Sequence, residues 1–326
     1  MRPTERAKQA LAYKLVDYLC DDPENNMATI MGKIDVLAPA SLFAEQRAAF
    51  SDAIKNKTNM YQLIMRVMDL NPEVRADLLK TFIVDANFLA WGKQEKMRER
   101  HQCNIPWAIL LDPTSACNLH CTGCWAAEYG HALNLAYDEI DSIIRQGKEL
   151  GVHVYIYTGG EPLVRKRDLI RLCEAHPDCA FLCFTNSTLI DEEFCQEMIR
   201  VKNFVPAISA EGDEAATDGR RGAGTYAKVD AAMDLLASHG LPFGVSICYT
   251  HDNAHSVASD AYFDWLIDKG ALFAWIFTYM PVGKGAPTEL MPTPDDRKLL
   301  YHFNRRVRAE KPIPVSYTHL TLPTNR

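Results

Sequence analysis

The stretch Trp107-Ala-Ile-Leu-Leu-Asp112, followed by Cys117-Asn-Leu-His-Cys121-Thr-Gly-Cys124, decides how the rest of the chain is read. Its first six residues form a short apolar run of the kind that makes a buried strand. The second part places three cysteines within eight residues, on a loop at that strand's C-terminal end. Three thiolates this close can hold three irons of a [4Fe–4S] cluster and leave the fourth iron without a protein ligand. An open metal position lets a substrate or cofactor coordinate directly. The same cysteines could bind zinc, with His120 or His131 completing a tetrahedron. Zinc knuckles, however, usually pair two C-x2-C units, and this chain has no second pair.

Toward the C-terminus, short apolar runs alternate with amphipathic segments, the pattern of parallel βα units. Strands are expected at 152–157, 180–185, 204–209, 243–249 and 272–278. Helices are expected near 135–150, 167–176, 191–201, 226–239, 262–269 and 294–309, with 210–224 a polar, glycine-rich loop. Such units, joined by right-handed crossovers, curl into an α/β fold, here a partial (β/α)6 barrel with an N-terminal helical domain. Ligand groups would gather at the strand C-termini. The expected domains are residues 1–100 (helical), 101–314 (barrel) and 315–326 (a non-native tail).

Toward the N-terminus the spacing is helical. Ala7, Leu11, Leu15 and Tyr18 fall on one stripe, and Ser41 would cap a second helix with Leu42, Phe43 and Phe50 available for packing. Asn71-Pro72 starts a third helix, whose continuation through Leu78, Phe82, Phe88 and Trp91 reads as buried. These helices are expected to pack against the barrel and partly cover its mouth, with direct recognition of the substrate as the alternative.

Composition narrows the function classes. In 326 residues, 48% are hydrophobic and 24% charged, and the formal charge is −7, which disfavours a protein that grips nucleic acid. The start, Met1-Arg-Pro-Thr-Glu5, has no apolar leader behind it, and no run reaches the ~18 apolar residues of a membrane span. A reducing, cytoplasmic setting is expected, where cysteine clusters serve metals or catalysis more often than disulfides.

Thr158-Gly159-Gly160-Glu161-Pro162 ends the next expected strand, with Gly159 35 positions after Cys124. Paired glycines let backbone approach a ligand closely. Together with the cysteine loop, this motif resembles the radical S-adenosylmethionine (radical SAM) superfamily, over roughly residues 105–310, nearest to barrels of the coenzyme-maturase and peptide-maturase type. Where that family commonly has an aromatic before the third cysteine, Gly123 stands here and Trp125 follows. The resemblance implies that Cys117, Cys121 and Cys124 hold a [4Fe–4S] cluster whose open iron is chelated by S-adenosylmethionine. It implies that Gly159, Gly160, Glu161 and Pro162 receive the cofactor's amine, and that Asn186, Ser209 and Arg221 make further cofactor contacts. Ser209-Ala-Glu211-Gly212 with Arg220-Arg221 is similar to a segment in which Ser and Arg meet the cofactor carboxylate, a task that suits arginine's fork.

The implied reaction is reductive cleavage of S-adenosylmethionine to a 5′-deoxyadenosyl radical that abstracts hydrogen from a substrate. A flavodoxin or ferredoxin would supply the electron, in an anaerobic or facultative setting. A peptide or protein is the first expected substrate, and a small molecule or lipid precursor the second. The competing class is a non-catalytic zinc- or cluster-binding scaffold, which would not consume S-adenosylmethionine.

The last residues, Val315-Ser-Tyr-Thr-His-Leu-Thr-Leu-Pro-Thr-Asn325-Arg326, are similar to the translated read-through of a transposase sequencing adapter. The native sequence is therefore expected to end near Pro314, with a cysteine-rich C-terminal extension of the maturase kind cut away. Cys173, Cys179, Cys183 and Cys248 read as small core residues and His153 as an interior histidine. The loop Tyr279-Met-Pro-Val-Gly-Lys-Gly285 could line a pocket.

Overall fold

The computed structural model describes residues 3–37, 44–126, 130, 132–282 and 286–317. Helices come first: α1 (Pro3–Asp21), α2 (Pro23–Leu37), α3 (Ala44–Asn56), α4 (Asn59–Met68) and α5 (Pro72–Leu79), then a π-helical segment (Lys80–Leu89) and α6 (Ala90–His101). The Asn71 side chain accepts from the backbone N–H groups of Glu73 and Val74, and Pro72 occupies the first turn, where it needs no N–H partner. Ser41, Leu42 and Phe43 lie outside the described residues.

Two faces differ from the sequence reading. In α1, Leu11 is 62% exposed and Val16 is buried. The reason is polar: the buried Asp85 takes hydrogen bonds from Tyr13 Oη (2.5 Å) and Gln9 Nε2 (2.8 Å), so their face turns inward. After α5, Phe82, Phe88 and Trp91 are exposed, and Val84, Asp85, Ala86 and Ala90 are buried instead. The wider π turn moves the apolar stripe off its 3.6-residue register, which spacing alone does not reveal.

The barrel follows: β1 (Ala108–Thr114), α7 (Tyr137–Leu150), β2 (Val154–Gly159), α8 (Lys166–Ala175), β3 (Ala180–Thr185), α9 (Glu192–Val201) and β4 (Phe204–Ser209). Then come α10 (Glu214–Arg221), α11 (Thr225–Ser238), β5 (Gly244–Tyr249), α12 (Ala254–Val257), α13 (Asp260–Asp268), β6 (Ala274–Thr278), α14 (Pro294–Glu310) and β7 (Val315–Tyr317). Among the described residues the strands pair in chain order, β1 to β7, all parallel, so the six expected βα units form a half-barrel to which a seventh strand is added. The seventh is Val315–Tyr317, whose alternating Val and Tyr pair with the open edge of β6 and are buried. Residues 318–326 lie outside the described residues.

The strands are packed on both sides. On the helix side, Tyr155, Tyr157 and Phe181 are buried with ring centroids 5.6 to 5.9 Å apart, and Tyr155 Oη donates to Ile144 O. Phe181 contributes about 1.5–3 kcal/mol by leaving water. Cys173, Cys179 and Cys183 are fully buried in this layer. On the inner side, Phe184 of β3 meets Trp275 and Phe277 of β6, at 5.4 and 5.5 Å. Since β4 and β5 separate β3 from β6, this contact crosses the lumen. It lines the interior with half-buried aromatic rings.

The N-terminal helices cover the opposite end from the expected mouth. Gln94 donates to Gly151 O before β2, and Thr81 donates to Pro177 O before β3. Glu73 and Asp77 pair with Lys202 before β4, and Asn71 N–H donates to Gly240 O before β5. Arg66 donates to Ile267 O and Ala271 O before β6, and to Pro312 O before β7. These carbonyls lie at helix C-termini and in the turns after them, where partners inside the helix run out, so donors from below, the Asn71 backbone N–H and side chains of Gln94, Thr81 and Arg66, satisfy them. The helices are a base under the strands' N-terminal ends. His153, interior as expected, sits there too, its Nδ1 2.9 Å from Asp178 O.

Candidate functional site

At the other end, β1 runs into the loop bearing Cys117, Cys121 and Cys124, all three partly exposed. Two donors point at its sulfurs: Leu119 N–H lies 3.5 Å from Cys117 Sγ, and Arg221 Nη1 lies 3.9 Å from Cys121 Sγ. Burial pushes both thiols up, while for Cys121 the Arg221 and Arg220 charges pull back. N–H groups aimed at sulfur favour the thiolate that a metal requires. Three thiols on one loop, two of them with donors in place, fit a [4Fe–4S] cluster with one open iron.

The loop is held from two sides. From β2, Gly160 N–H donates to Thr114 O (2.9 Å) and Glu161 N–H donates to Ala116 O (2.8 Å). A Cβ on Gly160 would sit 2.2 Å from Ala116 O, and Gly159 has φ +107° with its would-be Cβ 2.7 Å from Thr114 O. The paired glycines therefore admit the cysteine loop's own backbone. Pro162 is buried in the following turn.

Glu161 differs from the expectation of a carboxylate open to the cofactor amine. It is 1% exposed, and its oxygens already accept from Leu163 N–H (2.9 Å), Thr185 Oγ1 (2.7 Å) and Asn186 N–H (2.7 Å). Its carboxylate is a latch between the ends of β2 and β3. Asn186 extends the latch, donating through Nδ2 to Asn118 Oδ1 (2.8 Å) inside the cysteine loop. Ser209 ends β4, buried beside Ser246 of β5.

From the other side comes α10, in the stretch read as loop. Its polar, glycine-containing sequence hides the helix, but Asp213 caps it by accepting from Ala216 N–H. Its last two residues close on Glu211, which is fully buried. Glu211 Oε1 accepts from Arg220 Nη1 (2.7 Å) and Arg221 Nε (2.7 Å), and Oε2 accepts from Cys248 N–H (2.8 Å). Burial raises the Glu211 carboxyl, yet Arg221 and Arg220 outweigh it and hold it below its ordinary range. Arg220 O also accepts from Thr122 N–H (2.8 Å), which ties α10 to the cysteine loop. Arg221 is thus engaged with Glu211 and Cys121 rather than standing open for a cofactor carboxylate. The sequence places Glu211 beside Ser209 and nine positions before the Arg-Arg pair, but its role as their buried partner depends on the fold.

Comparison with known proteins agrees with this geometry. A family model described as the Radical SAM superfamily matches residues 111–259. The AdoMet-dependent heme synthase of Methanosarcina barkeri is 25% identical over 214 residues, 64% of this chain and 60% of that protein. The AdoMet-dependent heme synthase of Nitratidesulfovibrio vulgaris is 30% identical over 185 residues, 55% of this chain and 49% of that protein. Among solved structures, Streptococcus suis SuiB bound to S-adenosylmethionine is similar in fold, with a TM-score of 0.59 at 19% identity, covering 69% of this chain and 54% of that one. This chain spans about half of the length of these relatives.

Proposed function

We propose that this chain, which matches the Radical SAM superfamily model over residues 111–259, is a radical SAM enzyme that abstracts a hydrogen atom from an organic substrate held at the C-terminal end of its half-barrel. It is an enzyme whose cofactors are a [4Fe–4S] cluster and S-adenosylmethionine. The observation that carries the proposal is the clamp: one loop with Cys117, Cys121 and Cys124, gripped by Gly160 and Glu161 on one side and by Arg220 and Arg221 on the other. A cluster bound there and reduced by an electron-transfer partner would supply the electron for reductive cleavage of S-adenosylmethionine. The chain's own residues hold and insulate. Cys117, Cys121 and Cys124 would ligate iron; Glu161 and Asn186 fix the loop from β2 and β3; Arg220 and Arg221, held by Glu211, set cationic charge beside Cys121.

The substrate reading rests on the lumen and on the relatives. Phe184, Trp275 and Phe277 line the interior with ring surface, which favours an apolar or conjugated small molecule. Relatives named AdoMet-dependent heme synthase and Fe-coproporphyrin III synthase make a tetrapyrrole the first to try, ahead of a peptide or protein. An electron-transfer protein such as a flavodoxin or ferredoxin is the proposed partner, in a cytoplasmic, low-oxygen setting. No described helix is long and apolar enough to cross a membrane. The test is deoxyadenosine release from the anaerobically reconstituted protein with a chemical reductant, with Cys121→Ala as control. Release raised by an iron porphyrin supports the reading, and release raised only by peptides redirects it. No release above the Cys121→Ala control contradicts the enzyme.

A further inference from the structure

Tyr279 follows β6 at the end of the barrel that carries the cysteines, and it is 3% exposed. Its backbone N–H is bonded to Tyr249 O, but its hydroxyl has no hydrogen-bond partner among the described residues. Buried tyrosine hydroxyls usually find one, so an orphan asks for an explanation. The ring lies against the cysteine loop. A Cβ on Gly123 would come 2.7 Å from Tyr279 Cε2 and 2.9 Å from its Oη. Gly123 also has φ +67°, so contact and backbone both reserve this position for glycine. Tyr157 is the other buried tyrosine with an unpartnered hydroxyl among the described residues. It lies in the core layer with Phe181, Cys173 and Cys183, where no ligand can reach.

We infer that Tyr279 is a binding residue of this site, its phenol donating a hydrogen bond to the group seated on the three cysteines. The acceptor is either a cluster sulfur or a nitrogen or oxygen of the cofactor's nucleoside. The inference rests on the radical SAM reading and deepens it. Gly123 leaves room for a ring that arrives from β6 rather than from the loop itself, so the loop and the end of β6 form one wall of the site.

The test compares wild type with Tyr279→Phe, which keeps the ring and removes only the hydroxyl. Both full chains are reconstituted anaerobically. Iron and sulfide content, the EPR spectrum of the reduced cluster without cofactor, and S-adenosylmethionine affinity by equilibrium dialysis are measured. Iron uptake is expected to match wild type. A changed cofactor-free spectrum identifies a cluster sulfur as the acceptor. An unchanged spectrum with about three- to tenfold weaker cofactor binding, the worth of one neutral hydrogen bond, identifies the nucleoside. A variant that equals wild type in both measurements overturns the role of Tyr279 and leaves the enzyme reading intact. A wild type that neither assembles a cluster nor binds the cofactor overturns both.

Discussion

The two ends of the half-barrel are built by opposite rules. At the base, neutral carbonyls at helix ends are satisfied one by one by donors from the N-terminal helices, Arg66, Asn71 and Gln94 among them. At the top, a fully buried carboxylate, two arginines and three thiols crowd around one loop. The base satisfies these carbonyls with donors from the helices, and its ion pairs, such as Lys202 with Glu73 and Asp77, lie at the surface. The top concentrates charge and sulfur at a cost in desolvation that stability alone does not explain. Concentrated, mutually dependent charge of that kind marks a site where chemistry is done.

The contrast can be broken by substitution. The largest effect is expected at the top, from Glu211→Ala, which strands the Arg220 and Arg221 cations. Removing one partner of a buried ion pair costs about 3–5 kcal/mol, read by urea unfolding, and iron retention should fall with it. At the base, Arg66→Ala removes three bonds to carbonyls and should cost about 2–4 kcal/mol. Its signature is that iron bound per folded molecule stays at the wild-type level; a loss of iron there would dissolve the distinction between the ends. Gly160→Ala pushes a methyl onto Ala116 O, and overpacking of this kind costs about 1–3 kcal/mol. Here iron retention should suffer more than unfolding free energy, since the displaced segment is the cysteine loop.

The smallest effect concerns His153 at the base. Burial lowers its pKa below the ordinary 6.5. As pH falls through 6.5, the unfolded chain takes the proton first, so stability declines until the folded value is reached. His153→Gln should remove that slope without altering iron uptake. A slope that persists in the variant would assign the titration elsewhere.

Much of the top was legible in the sequence because its chemistry is local. Cys117, Cys121 and Cys124 sit on one loop, and Gly159–Pro162 end the neighbouring strand, so short spacing carried the site. What the sequence hid was non-local. That Glu161 faces Thr185 and Asn186 depends on β2 and β3 being neighbours, and that Tyr279 fills the space beside Gly123 depends on the curl from β1 to β6. The placement of the N-terminal helices was hidden for the same reason. Arg66 carries no mark that it will reach Ala271 and Pro312, and the π-helical segment shifts the very stripe that spacing would have used. The seventh strand is only Val315–Tyr317, too short for periodicity to show.

The most direct measurement is the EPR spectrum of the anaerobically reconstituted and reduced chain, recorded with and without S-adenosylmethionine, beside a variant with Cys117, Cys121 and Cys124 replaced by alanine. The account predicts a [4Fe–4S]⁺ signal that the cofactor perturbs, and no such signal in the variant. Tightly bound zinc in place of iron, or a cluster signal that survives in the variant, would contradict it.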